Sequence, residues 1–196
     1  MTSISRSIFR LETIAMLVVG LIVGGIVGLL VAPSIAQPPP PAGSVKTFYV
    51  LETEWAFALY DSGFKRIDKI VVNRGDIVQL IFIPMTFMPK ELYEELEHEF
   101  IEKAIKAGLL SSKDEFEKYE EQAKETLAKE AYGIKYIPHG LAIRGYEDKA
   151  NVVSEGKPII ITFTADRVGE FDIYCSYVCG WGHGIMKLDK AFIVKG

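Results

Sequence analysis

YCSYVCGWGHGIM, residues 174–186, carries both cysteines of a 196-residue chain, Cys175 and Cys179, then His183, one of its three histidines, and Met186. The stretch lies between two runs rich in β-branched and aromatic residues, GEFDIYC and KAFIVKG, so it reads as a loop between strands. Two thiols four residues apart could close a disulfide outside the cell or form half of a zinc site. The residues that follow favour another chemistry. Cys179, His183 and Met186 alone have a blue-copper spacing, with one thiolate, one imidazole and a weak axial thioether. Soft sulfur donors suit copper, and methionine is a poor zinc ligand. A mononuclear blue site needs one cysteine, and the second, Cys175, sits close enough for both thiolates to bridge two metals. A second imidazole is then required. With His183 already in the loop, His139, in YIPHGLAI, is the one histidine left outside the acidic helical region described below.

Outward from the loop, the chain from residue 45 onward is mostly β in character. KTFYVLETEWAFALY, KIVVNRGDIVQLIFI and KPIIITFTA are rich in β-branched and aromatic residues, and Asn73, Arg74 and Gly75 mark a turn between two strands. Many short strands predict an antiparallel sandwich or small barrel. Residues 89–131 break the pattern. PKELYEELEHEFIEKAIKAG opens on a proline suited to a first helical turn and closes on Gly108. SKDEFEKYEEQAKETLAKEAY opens with Ser112 and Glu115 at capping-box spacing. Leu92, Leu96 and Phe100 repeat at i, i+4, and Phe116, Ala123 and Leu127 more loosely. The expectation is an inserted helical hairpin that holds half of the chain's acidic residues, with its apolar stripe on the sheet or its surface open to a partner. His98, among glutamates, reads as solvated.

Before the β region, residues 14–32 form an unbroken apolar run. About 19 helical residues span roughly 28 Å, close to the hydrocarbon thickness of a bilayer. Arg6 and Arg10 precede the run and the next positive residue is Lys46, so the N-terminus is expected in the cytoplasm and the rest outside, in the cell membrane. Gly20, Gly24 and Gly28 share one helix face that would admit a neighbouring membrane helix closely. A cleaved signal peptide is the rival reading, with small residues at SIA, 34–36. The expected organisation is an anchor over 1–36, a stiff proline-rich spacer over 37–44, and an exported domain over 45–196. A formal net charge of -4 argues against a nucleic-acid surface. Two asparagines, few glutamines and abundant lysine and glutamate match the bias of proteins from hot environments.

The exported domain resembles subunit II of the haem–copper respiratory oxidases. That family's motif, C-S-x-x-C-G-x-x-H-x-x-M, is matched by Cys175, Ser176, Cys179, Gly180, His183 and Met186 with no residue inserted or missing, and its histidine–glycine–apolar element by His139, Gly140 and Leu141. The similarity covers about residues 46–83 and 136–195 and leaves the hairpin outside. It implies a cupredoxin-like Greek-key β-sandwich holding a dinuclear copper A centre. Cys175 and Cys179 would bridge both coppers, His139 and Met186 would complete one, and His183 and the backbone carbonyl of Tyr177 the other. The implied role is to take electrons from a cytochrome c or blue-copper donor and pass them to haem in the membrane subunit I, which reduces oxygen and pumps protons.

Departures are specific. Many members carry glutamate where Tyr177 stands, and tyrosine is a poor ligand for magnesium or calcium. Tyr136 and Ile137 replace an aspartate before the first histidine. A single membrane helix and the missing glutamate look like the B-type oxidases. EWAFALY resembles the aromatic stretch where electrons enter, with Trp55 and Phe57 on one strand face and Trp181 as a further candidate, against plain core packing. The copper A subunit of a nitric oxide reductase is an alternative, and a membrane-tethered copper carrier another.

Overall fold

The computed structural model describes residues 43–130, 137–154 and 156–196, with side chains of the second helix to residue 126. The apolar run at 14–32 with its glycine face, residues 37–42 of the proline-rich spacer, Tyr136 and the Leu127 side chain lie outside the described residues. No helix among the described residues is long and apolar enough to cross a membrane.

Among the described residues, ten strands form two five-stranded sheets. The first sheet orders β3 (Arg66–Ile67), β2 (Phe57–Tyr60), β1 (Val45–Glu52), β5 (Ile77–Ile83) and β8 (Ile159–Thr164). The second orders β4 (Ile70–Asn73), β10 (Lys187–Lys195), β9 (Gly169–Tyr174), β6 (Gly140–Ile143) and β7 (Asn151–Val153). Alternation decides which side chains face inward. Val78, Leu80 and Phe82 of β5 and Ile161 and Phe163 of β8 are buried in one core together with Ile70, Val72, Leu141, Ile173 and Phe192 of the second sheet. The architecture is mainly β and consistent with a cupredoxin-like sandwich.

The sheets are not wholly antiparallel, as the sequence suggested. β1 runs parallel to β5, and β4 parallel to β10. The turn at Asn73, Arg74 and Gly75 is present, but β4 and β5 enter opposite sheets instead of pairing. The carboxylate of Asp76 holds this corner, accepting the Asn73 N–H at 2.8 Å and the Ser44 N–H at 3.0 Å, and Gly75 takes φ 94°, a value glycine adopts freely. The stretch 46–60 is two strands, broken by a turn in which Thr53 N–H donates to the Ala56 carbonyl at 3.0 Å. Trp55 therefore sits in a turn, not on a strand face beside Phe57.

The hairpin consists of α1 (Lys90–Lys106) and α2 (Lys113–Glu130). Pro89 stands at the cap of α1, one position before the first turn. Gly108, with φ 71°, lets the chain leave it. Ser112 Oγ accepts the Glu115 N–H at 3.3 Å, while the Glu115 carboxylate reaches back to the Ser111 N–H at 2.7 Å, one residue further than a capping box predicts. His98 is exposed and lies 3.3 Å from Glu102. Leu96 of α1 packs on Leu51, Ala58 and Tyr60 of the first sheet, so part of the apolar stripe covers the sheet as expected. The stripe of α2 has another destination.

Candidate metal centre

Strand pairing assembles the centre. β6 and β9 are antiparallel, with Ala142 opposite Tyr174, so His139 just before β6 meets Cys175 just after β9. β9 and β10 pair with Tyr174 opposite Lys187, which brings the two ends of the loop together. Cys175 N–H then donates to the Met186 carbonyl at 3.0 Å. Gly140 must be small: a Cβ there would lie 2.3 Å from Ser176 Oγ and 2.8 Å from the Tyr177 nitrogen. The glycine after the histidine thus allows the loop to lie against β6. Ser176 Oγ ties the loop to β7 through Asn151 at 2.8 Å.

The ligating atoms of His139, Cys175 and Cys179 all lie within 4.8 Å of one another, and all three residues are buried. The two sulfurs are 3.6 Å apart and free, well beyond the roughly 2.05 Å of a disulfide bond. Cys179 Sγ lies 3.9 Å from His183 Nδ1, and Cys175 Sγ lies 3.1 Å from the Tyr177 carbonyl oxygen. His183 rides on a 3-10 turn, Trp181–Gly184, and is half-buried, whereas Met186 is 1% exposed. Neither ring nitrogen of His139 has a hydrogen-bond partner, although the residue is fully buried. Leaving both nitrogens of a buried imidazole unpaired costs free energy, and a metal on one of them removes part of that cost.

The electrostatics of the sulfur pair suit a cation. The Cys179 thiol, hydrogen-bonded to Cys175, is the main reason that the Cys175 thiol is pulled well below the usual thiol range, with the nearby His139 and the Gly140 N–H adding to it. The resulting thiolate pushes the Cys179 thiol up, and burial reinforces the effect. Metal ligation by cysteine requires the thiolate, so a cation bound between the two sulfurs would displace their protons. Two cysteine sulfurs and the His139 imidazole, buried together with His183 beside Cys179, are a soft donor set, which copper fits and magnesium or calcium does not.

The aromatic candidates divide. The Trp55 indole N–H donates to the Cys179 carbonyl at 2.9 Å, and its ring meets Trp181 edge-on at 5.3 Å. Phe57 packs on Phe82 at 6.1 Å, inside the sandwich. The loop glycines make this packing possible: a Cβ on Gly182 would lie 2.0 Å from Trp55 Cγ, and one on Gly180 2.8 Å from Ala123 Cβ of α2.

Two features escaped the sequence. Glu52 ends β1 fully buried, and neither carboxylate oxygen has a hydrogen-bond partner. Burial first, and the adjacent Cys175 second, raise its carboxyl well above the usual range. Its only sequence signal is an acid inside the aromatic run YVLETEWAF. The second feature is the contact between α2 and the metal loop, which no spacing within the helix reveals.

No family model matches the chain, and no curated protein matches it. Among solved structures, it is similar to a chain of a heme-copper terminal oxidase dimer determined by cryo-EM, with 17% identity and a TM-score of 0.40 over 98% of this chain and 100% of that one. It is also similar to the crystal structure of the periplasmic domain of subunit II of cytochrome oxidase (CoxB) of Bradyrhizobium japonicum, with 12% identity and a TM-score of 0.42 over 80% of this chain and 87% of that one.

Proposed function

We propose that this chain is the electron-accepting subunit of a terminal haem–copper oxidase, anchored in the cell membrane by residues 14–32 with its β domain outside the cytoplasm. The observation that carries the reading is the convergence of His139, Cys175 and Cys179 donor atoms within 4.8 Å, with the two cysteines at the spacing of a C-S-x-x-C-G-x-x-H-x-x-M loop. Cys175, Cys179, His139, Met186, His183 and the Tyr177 carbonyl would hold a dinuclear copper A centre, the two cysteines as its shared ligands. Bound there, copper would supply one-electron chemistry.

The chain's own residues keep the geometry fixed during that exchange. Cys175 and Met186 are pinned by their backbone hydrogen bond at 3.0 Å, and the Cys179 backbone by Trp55 at 2.9 Å. Burial of His139, Cys179 and Met186 excludes water, so little solvent has to reorganise when charge changes. It also disfavours a copper carrier, which needs exchangeable ligands. Electrons arrive from a cytochrome c or blue-copper protein and leave for haem in a membrane subunit I that reduces oxygen and pumps protons.

The test is metal content. The fragment from residue 43 to 196, loaded with copper, should hold two ions, look purple and show one unpaired electron shared over both. A single copper with a blue-protein spectrum, or tightly held zinc, overturns the reading.

A further inference from the structure

α2 presents Phe116, Tyr119 and Ala123 along one face, at the three- and four-residue steps of a helix. Each meets a different part of the metal loop or its support. Phe116 lies edge-on to Trp55 at 5.3 Å and 78°. Tyr119 stacks on Trp181 at 5.0 Å and 2°. Ala123 occupies the space that a side chain on Gly180 would need. The apolar stripe of α2 is therefore fitted to two indoles and a loop glycine.

Polar contacts fix the same placement from the other side. Glu54, the residue before Trp55, is 1% exposed. It accepts the Tyr93 hydroxyl of α1 at 2.7 Å and lies 3.5 Å from Lys124 of α2. Both helices thus grip the turn that carries Trp55. The rings continue one another: Tyr119 stacks on Trp181, Trp181 touches Trp55 at 5.3 Å, and Trp55 binds the Cys179 carbonyl at 2.9 Å. Tyr119 and Trp181 are half-buried and line a groove with Tyr177 and Val178, the latter 72% exposed. Among the described residues, no charged side chain lines that groove.

We propose that the helical hairpin is part of the electron path, with Tyr119 as its outer member, leading ring to ring through Trp181 and Trp55 to Cys179. The inference rests on the copper reading above. Electron tunnelling weakens exponentially with the gap between orbitals in contact, and stacked rings shorten that gap relative to an aliphatic side chain or water. The step is a one-electron transfer. The iron of a reduced haem protein goes from Fe2+ to Fe3+, the copper pair gains the electron, and no bond or proton moves.

The experiment uses the copper-loaded full chain, with reduced soluble cytochrome c as one probe and ascorbate, a small reductant that needs no docking, as the other. Reduction of the centre is followed by stopped-flow absorbance. Tyr119→Leu should slow reduction by cytochrome c by about tenfold, the equivalent of a modest rise in barrier. It should leave copper count, absorption spectrum and the ascorbate rate as in the parent chain. Tyr119→Phe keeps the ring and should recover most of the rate, which a role through the hydroxyl bond to Glu115 at 3.1 Å would not allow. An unchanged cytochrome rate in Tyr119→Leu, or an equal loss in Tyr119→Phe, overturns the proposal, as does equal slowing of ascorbate. A parent chain without two coppers instead overturns the reading on which it rests.

Discussion

The indole N–H of Trp55 donates to the carbonyl of Cys179 at 2.9 Å, so a turn between two strands of one sheet holds the backbone of a metal loop in the other. The bond is buried, and its loss leaves a buried carbonyl without a partner.

Trp55→Phe therefore has two separable effects. It keeps most of the apolar ring and removes the donor, at a cost of about 1–3 kcal/mol. Urea unfolding of the fragment should show that loss. Copper should still bind, with a shifted absorption band, because every ligand remains. Unchanged stability in Trp55→Phe would mean that the bond contributes nothing.

Gly182 and Gly184 flank His183 and should respond in opposite ways. A Cβ on Gly182 would lie 2.0 Å from Trp55 Cγ, whereas one on Gly184 meets nothing within 4 Å. Gly182→Ala must displace either the ring or the loop, for about 1–3 kcal/mol of overpacking, and should weaken copper retention. Gly184→Ala should stay within about 0.5 kcal/mol of the parent. Competition with a copper chelator on the two variants measures the contrast, and equal retention would refute the packing account.

Glu52 supplies a pH signature. Its folded carboxyl is raised, first by burial and then by Cys175. The folded state therefore binds more protons than the unfolded one above the unfolded value of about 4.3. Stability is then lost as pH rises from that value towards the raised one, at up to about 1.4 kcal/mol per pH unit. Glu52→Gln cannot titrate and lacks this loss. The metal-free variant should match the parent near pH 4 and exceed its stability progressively at pH 6 and 8. A constant difference across these urea titrations would show that the carboxyl does not change its proton between the two states.

Much of the centre was legible because ligand chemistry prescribes residue types at fixed spacing. The sulfur and imidazole candidates of the loop have few substitutes, and His139 stood out because the other histidines were the loop candidate His183 and a solvated helix residue. The hairpin followed from periodicity. Strand neighbours did not: alternation in Ile77–Ile83 tells which side chains face inward, but it fits a parallel partner as well as an antiparallel one. Trp55 looked like a strand residue because the turn that holds it depends on a backbone bond between Thr53 and Ala56 that leaves no mark in composition. The fit of Tyr119 to Trp181 is equally silent, since no spacing along the chain links a helix residue to a distant loop.

The ligand assignment itself predicts an order of damage. In that assignment Tyr177 offers only its backbone carbonyl, which lies 3.1 Å from Cys175 Sγ, and the residue lines the outer groove. Tyr177→Ala should therefore keep both coppers, with a small spectral shift from lost packing. Cys179→Ser places a hard, weakly acidic hydroxyl where a soft bridging anion is needed. The two-copper centre should collapse to one ion at most, and electron uptake should stop. Met186→Leu lies between these, because an axial thioether bonds weakly and mainly tunes potential. Leucine is close to methionine in volume, so this 1% exposed position should cost less than about 1.5 kcal/mol in packing. Copper counting and absorption spectra on the three purified fragments check the order. Loss of both coppers in Tyr177→Ala, or a two-copper spectrum that survives Cys179→Ser, would show that the bridging and carbonyl roles are wrongly assigned.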